Sequence, residues 1–210
     1  MMNYFIENHL KDTIVATETM TKYKGHTAVH LTHLLPAAIW SAAIPFQLHR
    51  GFRKEHPVLH RRVGYAFFCC SFLVAMGIVI IVQRDLSFEK LFDDLPPLKS
   101  STEPVMYFMA LYFAVSAGHS LRLARARRFF DHQLWVIRHV AAGLWVAFQR
   151  LLLIMVYSRV YPPPVARETQ RQSFITASYL GILISCGCGE FAIYLLKQER
   201  AAKLQPKKTV

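Results

Sequence analysis

Acidic side chains are scarce in this chain: 13 Asp and Glu stand against 25 Lys and Arg, a formal charge of +12 over 210 residues. Cysteine is scarcer still, with Cys69, Cys70, Cys186 and Cys188 all inside apolar stretches. One C-x-C pair falls short of the four ligands of a structural zinc site, and buried cysteines behave as small hydrophobes. Neither a zinc site nor a disulfide is expected from them. There is no P-loop, no Rossmann glycine pattern, no nucleophile elbow, no H-E-x-x-H or histidine-box spacing and no nucleic-acid module. The N-terminus lacks the basic start, apolar core and small-residue cleavage site of a signal peptide. The first apolar stretch then serves as the targeting signal. No repeat or low-complexity tract occurs.

Long apolar blocks are what the chain does have. Five of them, each roughly 18–23 residues, match the length needed to cross about 30 Å of hydrocarbon. They cover 28–49, 63–83, 104–121, 136–158 and 174–196. They lack the alternation of membrane-barrel strands, and in lipid a helix satisfies its own backbone. The expected fold is an all-α integral membrane bundle of five transmembrane helices over 28–196, with an extracytoplasmic segment 1–27 and a basic tail 197–210.

A charge of +12 raises nucleic acid as a partner, but its placement speaks for topology. Lys and Arg gather in three groups: Arg50, Arg53, Lys54, Arg61 and Arg62; Arg122, Arg125, Arg127, Arg128 and Arg138; and Lys197, Arg200, Lys203, Lys207 and Lys208. With five spans all three lie on one side, which the positive-inside rule makes cytoplasmic. The N-terminus is then outside and the C-terminus inside. Such loops also suit anionic lipid headgroups. The final Lys207-Lys208-Thr209-Val210 has the form of a dilysine retrieval signal for the endoplasmic reticulum in a eukaryotic chain; without it the plasma membrane is expected.

The fourth block carries the unusual polar residues. His132, His139 and Arg150 are separated by seven and eleven residues, which returns them to one helical face beside Trp135. An arginine near mid-span costs roughly 2.5–3.5 kcal/mol on insertion scales, so it should face the bundle and find a partner. Glu190 on the fifth block lies about 12 Å closer to the cytoplasm than Arg150 by rise per residue. It is nearer in depth to His139 and His119 than to the arginine. His119, with Ser116 and Tyr112 on its face, and His139 lie at matched depth on neighbouring helices and form a natural axial pair for a haem b iron. A cytoplasmic-side cluster of His60, His119, His132, His139 and Glu190 offers ligands for zinc or ferrous iron instead, with His60, His132 and Glu190 as the metal set. For any one histidine the plain alternative is a polar residue at the interface. Gly181, Ser185 and Gly189 read as a close helix contact, and Pro36 and Pro45 as kinks in the first span.

Two segments carry a resemblance. One is Pro57-x-x-His60-Arg61-Arg62-x-Gly64-Tyr65. The other is Arg128-x-x-Asp131-His132-x-x-Trp135-x-x-Arg138, followed by Arg150. Together they resemble a family of predicted multi-pass membrane proteins whose function is not established. The likeness covers about residues 28–158. It implies a role for His60, His132, Trp135, Arg138 and Arg150 and lends nothing to His119 or His139. Where that pattern has a small residue and a tyrosine after the last arginine, this chain has His139 and Val140. Three functions remain open at this point: a haem b or membrane redox protein taking part in electron transport, a non-enzymatic lipid-binding or scaffold protein using His60, Arg61, Arg62 and Arg138, and a metal-dependent membrane enzyme acting on lipid.

Overall fold

The computed structural model describes residues 21–92, 94–98 and 101–204. Most of the segment 1–27 and the dilysine motif lie outside the described residues. Among those described, the regular structure is entirely helical. Six helices follow one another: α1 (Thr27–Leu48), α2 (Arg50–Glu55), α3 (Pro57–Gln83), α4 (Glu103–Arg125), α5 (Phe129–Val160) and α6 (Arg167–Leu204).

The breaks between helices follow from local chemistry. His49 is extended, and its Nδ1 accepts from the Phe52 backbone N–H, which caps α2. His56 precedes a proline and is pushed off the helical conformation; Pro57 then opens α3, where a missing N–H costs nothing. The basic segment read as a loop is thus a short helix joined to a span. A three-residue turn, with Arg127 at φ 57°, reverses the chain between α4 and α5. In α1 a π turn, His30–Leu34, ends two residues before Pro36, whose ring removes the bond to the carbonyl four residues back. A second π turn, Leu152–Tyr157, lies in the C-terminal part of α5.

Four helices are long and apolar enough to cross a bilayer: α1, α3 with its C-terminal extension, α5 and α6. The expectation of five meets a difference at α4. That helix is 23 residues long but less apolar: it carries Tyr107, Tyr112 and His119 besides the buried Ser116 and Ser120. It nevertheless runs the length of the bundle. At one end Glu103 accepts from the Ser87 hydroxyl just past α3, and at the other Ser120 meets His132 at the start of α5.

The core is built on aromatic packing where α1, α3, α4 and α5 meet: Trp40, Phe67, Phe68, Phe113, Val136 and Val140 are all buried. The outward faces carry the apolar bulk, as with Leu31 on α1, Phe108, Leu111 and Val115 on α4, and Leu183 and Phe191 on α6. Lipid removes the hydrophobic drive between helices, so close fit and buried hydrogen bonds must hold them together. The α5–α6 contact shows both: Gly181 and Gly189 lie flat on α5, and Ser185 Oγ donates to the Ala141 carbonyl at 2.6 Å. Away from the basic groups, Arg167 pairs with Asp94 and holds its carboxyl below the usual carboxylate range, and Arg171 bridges the Pro96 carbonyl and Glu168.

Candidate functional site

His139 sits fully buried in the middle of the core. Its Nδ1–H donates to the Phe113 carbonyl at 3.1 Å, and its Nε2 accepts from the Trp40 indole N–H at 3.1 Å. A carbonyl can only accept and an indole N–H can only donate, so the tautomer is fixed and the ring neutral. The Ser71 hydroxyl lies 2.8 Å from Nε2 and the Ser116 hydroxyl 3.1 Å from Nδ1; each also donates to a carbonyl of its own helix, Phe67 and Phe113 respectively. The ring stacks on Phe113 and meets Trp40 and Phe67 edge-on. One residue therefore joins α1, α3, α4 and α5.

This geometry does not suit axial haem ligation. Both His139 nitrogens are committed to protein groups and its faces are covered by aromatic rings. His119 engages other partners: its ring lies 4.4 Å from Trp135, and Arg122 approaches its Nδ1 at 3.5 Å. The two histidines do not face a common gap: His119 lies level with Trp135, and His139 with Phe113 and Ser116. Ser116, expected beside His119, serves His139 instead.

His60 and His132 lie within electrostatic reach of each other. His132 donates from Nδ1 to the Ser120 carbonyl at 2.9 Å and meets Phe68 edge-on. Arg53 lies within the same reach of His60. His60 Nδ1 is buried without a hydrogen-bond partner. Gln47 donates to the His60 carbonyl and packs over Gly64, tying α1 to the first turns of α3. The proposed third metal ligand, Glu190, is spoken for by Arg138, which grips it through two parallel bonds of 2.6 and 3.1 Å. No group of three or more His, Cys, Asp or Glu able to hold a metal ion occurs among the described residues.

Trp135, Arg138 and His119 instead line a shallow cavity of about 290 Å³ with Arg128, Asp131 and Lys197. Arg138 lies over the Trp135 ring, and Arg128 pairs with Asp131 at 2.8 Å. Around this cavity the basic groups converge. Arg50 on α2 forms a bidentate pair with Glu199 near the end of α6, and Arg200 lies over Phe130 at the start of α5. Arg61 and Arg62 are exposed on the first turns of α3. We call this end the basic rim.

Arg150 lies apart from all of these, against Phe174 of α6 and near Lys22 and Tyr23 ahead of α1. Burial and then the neighbouring arginine push Lys22 down to about 8, while burial pushes Tyr23 up to about 12. Sequence reasoning missed Trp40, Ser71 and Gln149 as polar partners. Their signal was there: a hydroxyl, amide or indole N–H deep in an apolar helix needs a partner in another helix.

No family model, curated protein or solved structure matches this chain.

Proposed function

We propose that the chain is a five-span membrane protein, N-terminus outside and C-terminus cytoplasmic, and that its basic rim is a non-enzymatic binding face for anionic lipid headgroups. One observation carries this reading: three basic segments, far apart in sequence, are drawn to the same end of the bundle through Arg50–Glu199, Arg200–Phe130 and Ser120–His132. The fifth crossing is supported by α4 itself. Its 23 residues span about 34 Å at 1.5 Å per residue, and Phe108, Leu111 and Val115 form an apolar stripe on its outer face. The positive-inside rule then puts the rim at the cytoplasmic leaflet, where anionic lipid is concentrated.

Topology is checked with tags on residues 1 and 210 in sealed vesicles. They are expected to react from opposite faces; labelling of both from one face sinks the five-span reading. Lipid binding is checked by exchanging the purified protein into nanodiscs and titrating phosphatidylserine content against phosphatidylcholine. Each of Arg61→Gln, Arg62→Gln and Lys197→Gln is expected to weaken the preference for the anionic lipid about fivefold, since a basic group near such a surface contributes about 1 kcal/mol. The preference should fall as salt rises. A preference indifferent to salt and to all three substitutions would remove the rim from the argument.

A further inference from the structure

Arg150 lies away from the rim. It stands on α5 two residues before the π turn Leu152–Tyr157, a distortion of the kind that clusters at functional sites. Its guanidinium lies over the Phe174 ring, with Cζ 5.1 Å from the centroid, and its Nη1 is buried with no hydrogen-bond partner. Lys22 and Tyr23 are its electrostatic neighbours from the segment ahead of α1, with the Lys22 ammonium 4.7 Å above the Tyr23 ring. Glu190, the acid deepest in α6, is taken by Arg138. Among the described residues no carboxylate pairs with Arg150 or Lys22.

Two half-buried cations within electrostatic reach of each other repel, and each has lost hydration that no carboxylate among the described residues restores. Such a pair is stable when an anion lies between them. A planar guanidinium presents a fork that matches two oxygens of one group, an ammonium adds a point charge, and a phenol adds one more donor. We propose that Arg150, Lys22 and Tyr23 form a binding site for a phosphate group, at the end of the bundle away from the basic rim. Three separate donors fit the several oxygens around phosphorus better than the two of a carboxylate. Tyr23 keeps its hydroxyl proton across the physiological range, so it remains a donor. An anion in this place raises the proton affinity of Lys22 and secures its charge. A lipid headgroup and free phosphate present the same chemistry, and the site is independent of the reading given to the rim.

The full chain in neutral detergent tests this by thermal unfolding at constant ionic strength, with inorganic phosphate in one arm and short-chain phosphatidic acid in the other. At a hundredfold excess over Kd the midpoint is expected to rise by roughly 5–10 °C. The rise should vanish in Arg150→Gln and in Lys22→Gln and persist in Arg61→Gln, which touches only the rim. A rise in both arms assigns the site to phosphate as such, and a rise with the lipid alone assigns it to a headgroup. If Arg150→Gln does not fold, Lys22→Gln, in a segment outside the bundle core, carries the test. The site is overturned if neither compound raises the midpoint, or if the rise survives both substitutions. Loss of the rise in Arg61→Gln alone would move phosphate binding to the rim and also overturn it.

Discussion

Replacing His139 with alanine is expected to cost about 4 kcal/mol of stability and to lower the unfolding midpoint by roughly 8–16 °C. The reason is how many groups the ring satisfies at once. Without it, the Trp40 indole N–H and one lone pair of the Phe113 carbonyl lose their partners, and all lie where water does not reach. A buried donor left unmade costs about 1–3 kcal/mol, and the space vacated beneath Phe113, Trp40 and Phe67 adds a cavity term. Leucine in place of histidine fills the volume but pairs with none of these groups, so His139→Leu should recover only part of the loss. His119→Ala is the control: that ring is partly exposed and touches Trp135 and Arg122, so a loss of less than about 1 kcal/mol is expected. Thermal unfolding of the three variants in the same detergent decides the matter. Equal effects at positions 119 and 139 would mean that His139 does not join α1, α3, α4 and α5 through these bonds.

How far the residues foretold this can be judged from the same two histidines. Hydropathy located the apolar segments, and four of the five blocks fall inside a helix, while the first runs one residue past α1 to the extended His49; what it missed was how far the helices run past the apolar part. The block 174–196 lies within Arg167–Leu204, and 63–83 within Pro57–Gln83, because arginines and lysines continue a helix as readily as leucine does. Charge gathered the basic segments on one side before any contact was known. Depth placed Glu190 beside the level of His139, and its partner proved to be Arg138, one residue earlier. What depth cannot supply is azimuth between helices. His119 and His139 are expected at one height, yet His119 meets Trp135 while His139 lies level with Phe113 and Ser116 and faces the core, and that depends on how α4 is set against α5. Rotation is set by packing of particular residues, among them Gly143, where any side chain would strike Trp40 and Phe113. A haem pair inferred from height alone had no access to that information.

The α5–α6 seam supplies the sharpest test of packing, because three glycines in one helix are expected to respond with different signs. Glycine to alanine in an exposed helical position is worth up to about 1 kcal/mol of stabilisation, from helix propensity alone. Gly187 has open space around it, so Gly187→Ala should show that gain. At Gly181 an added Cβ would lie 2.7 Å from the Trp145 carbonyl oxygen and 3.0 Å from the Gln149 nitrogen. Those are backbone atoms of α5 and cannot rotate away, so the two helices must part along a seam that also holds the Ser185–Ala141 hydrogen bond and the Gln149–Ser178 contact. Overpacking of this kind costs about 1–3 kcal/mol, and Gly181→Ala should sit near the upper end. Gly189 lies between the two cases, because its added Cβ would meet the Ala141 Cβ at 2.8 Å, a side-chain atom that can be removed. Gly189→Ala should therefore destabilise alone and recover when combined with Ala141→Gly, whereas no single side-chain truncation on α5 should rescue Gly181→Ala. Unfolding midpoints of the four proteins measure this directly. If alanine at 181 and at 187 shift stability in the same direction by similar amounts, α5 and α6 do not approach as closely as described, and the register that brings Arg138 to Glu190 goes with that contact.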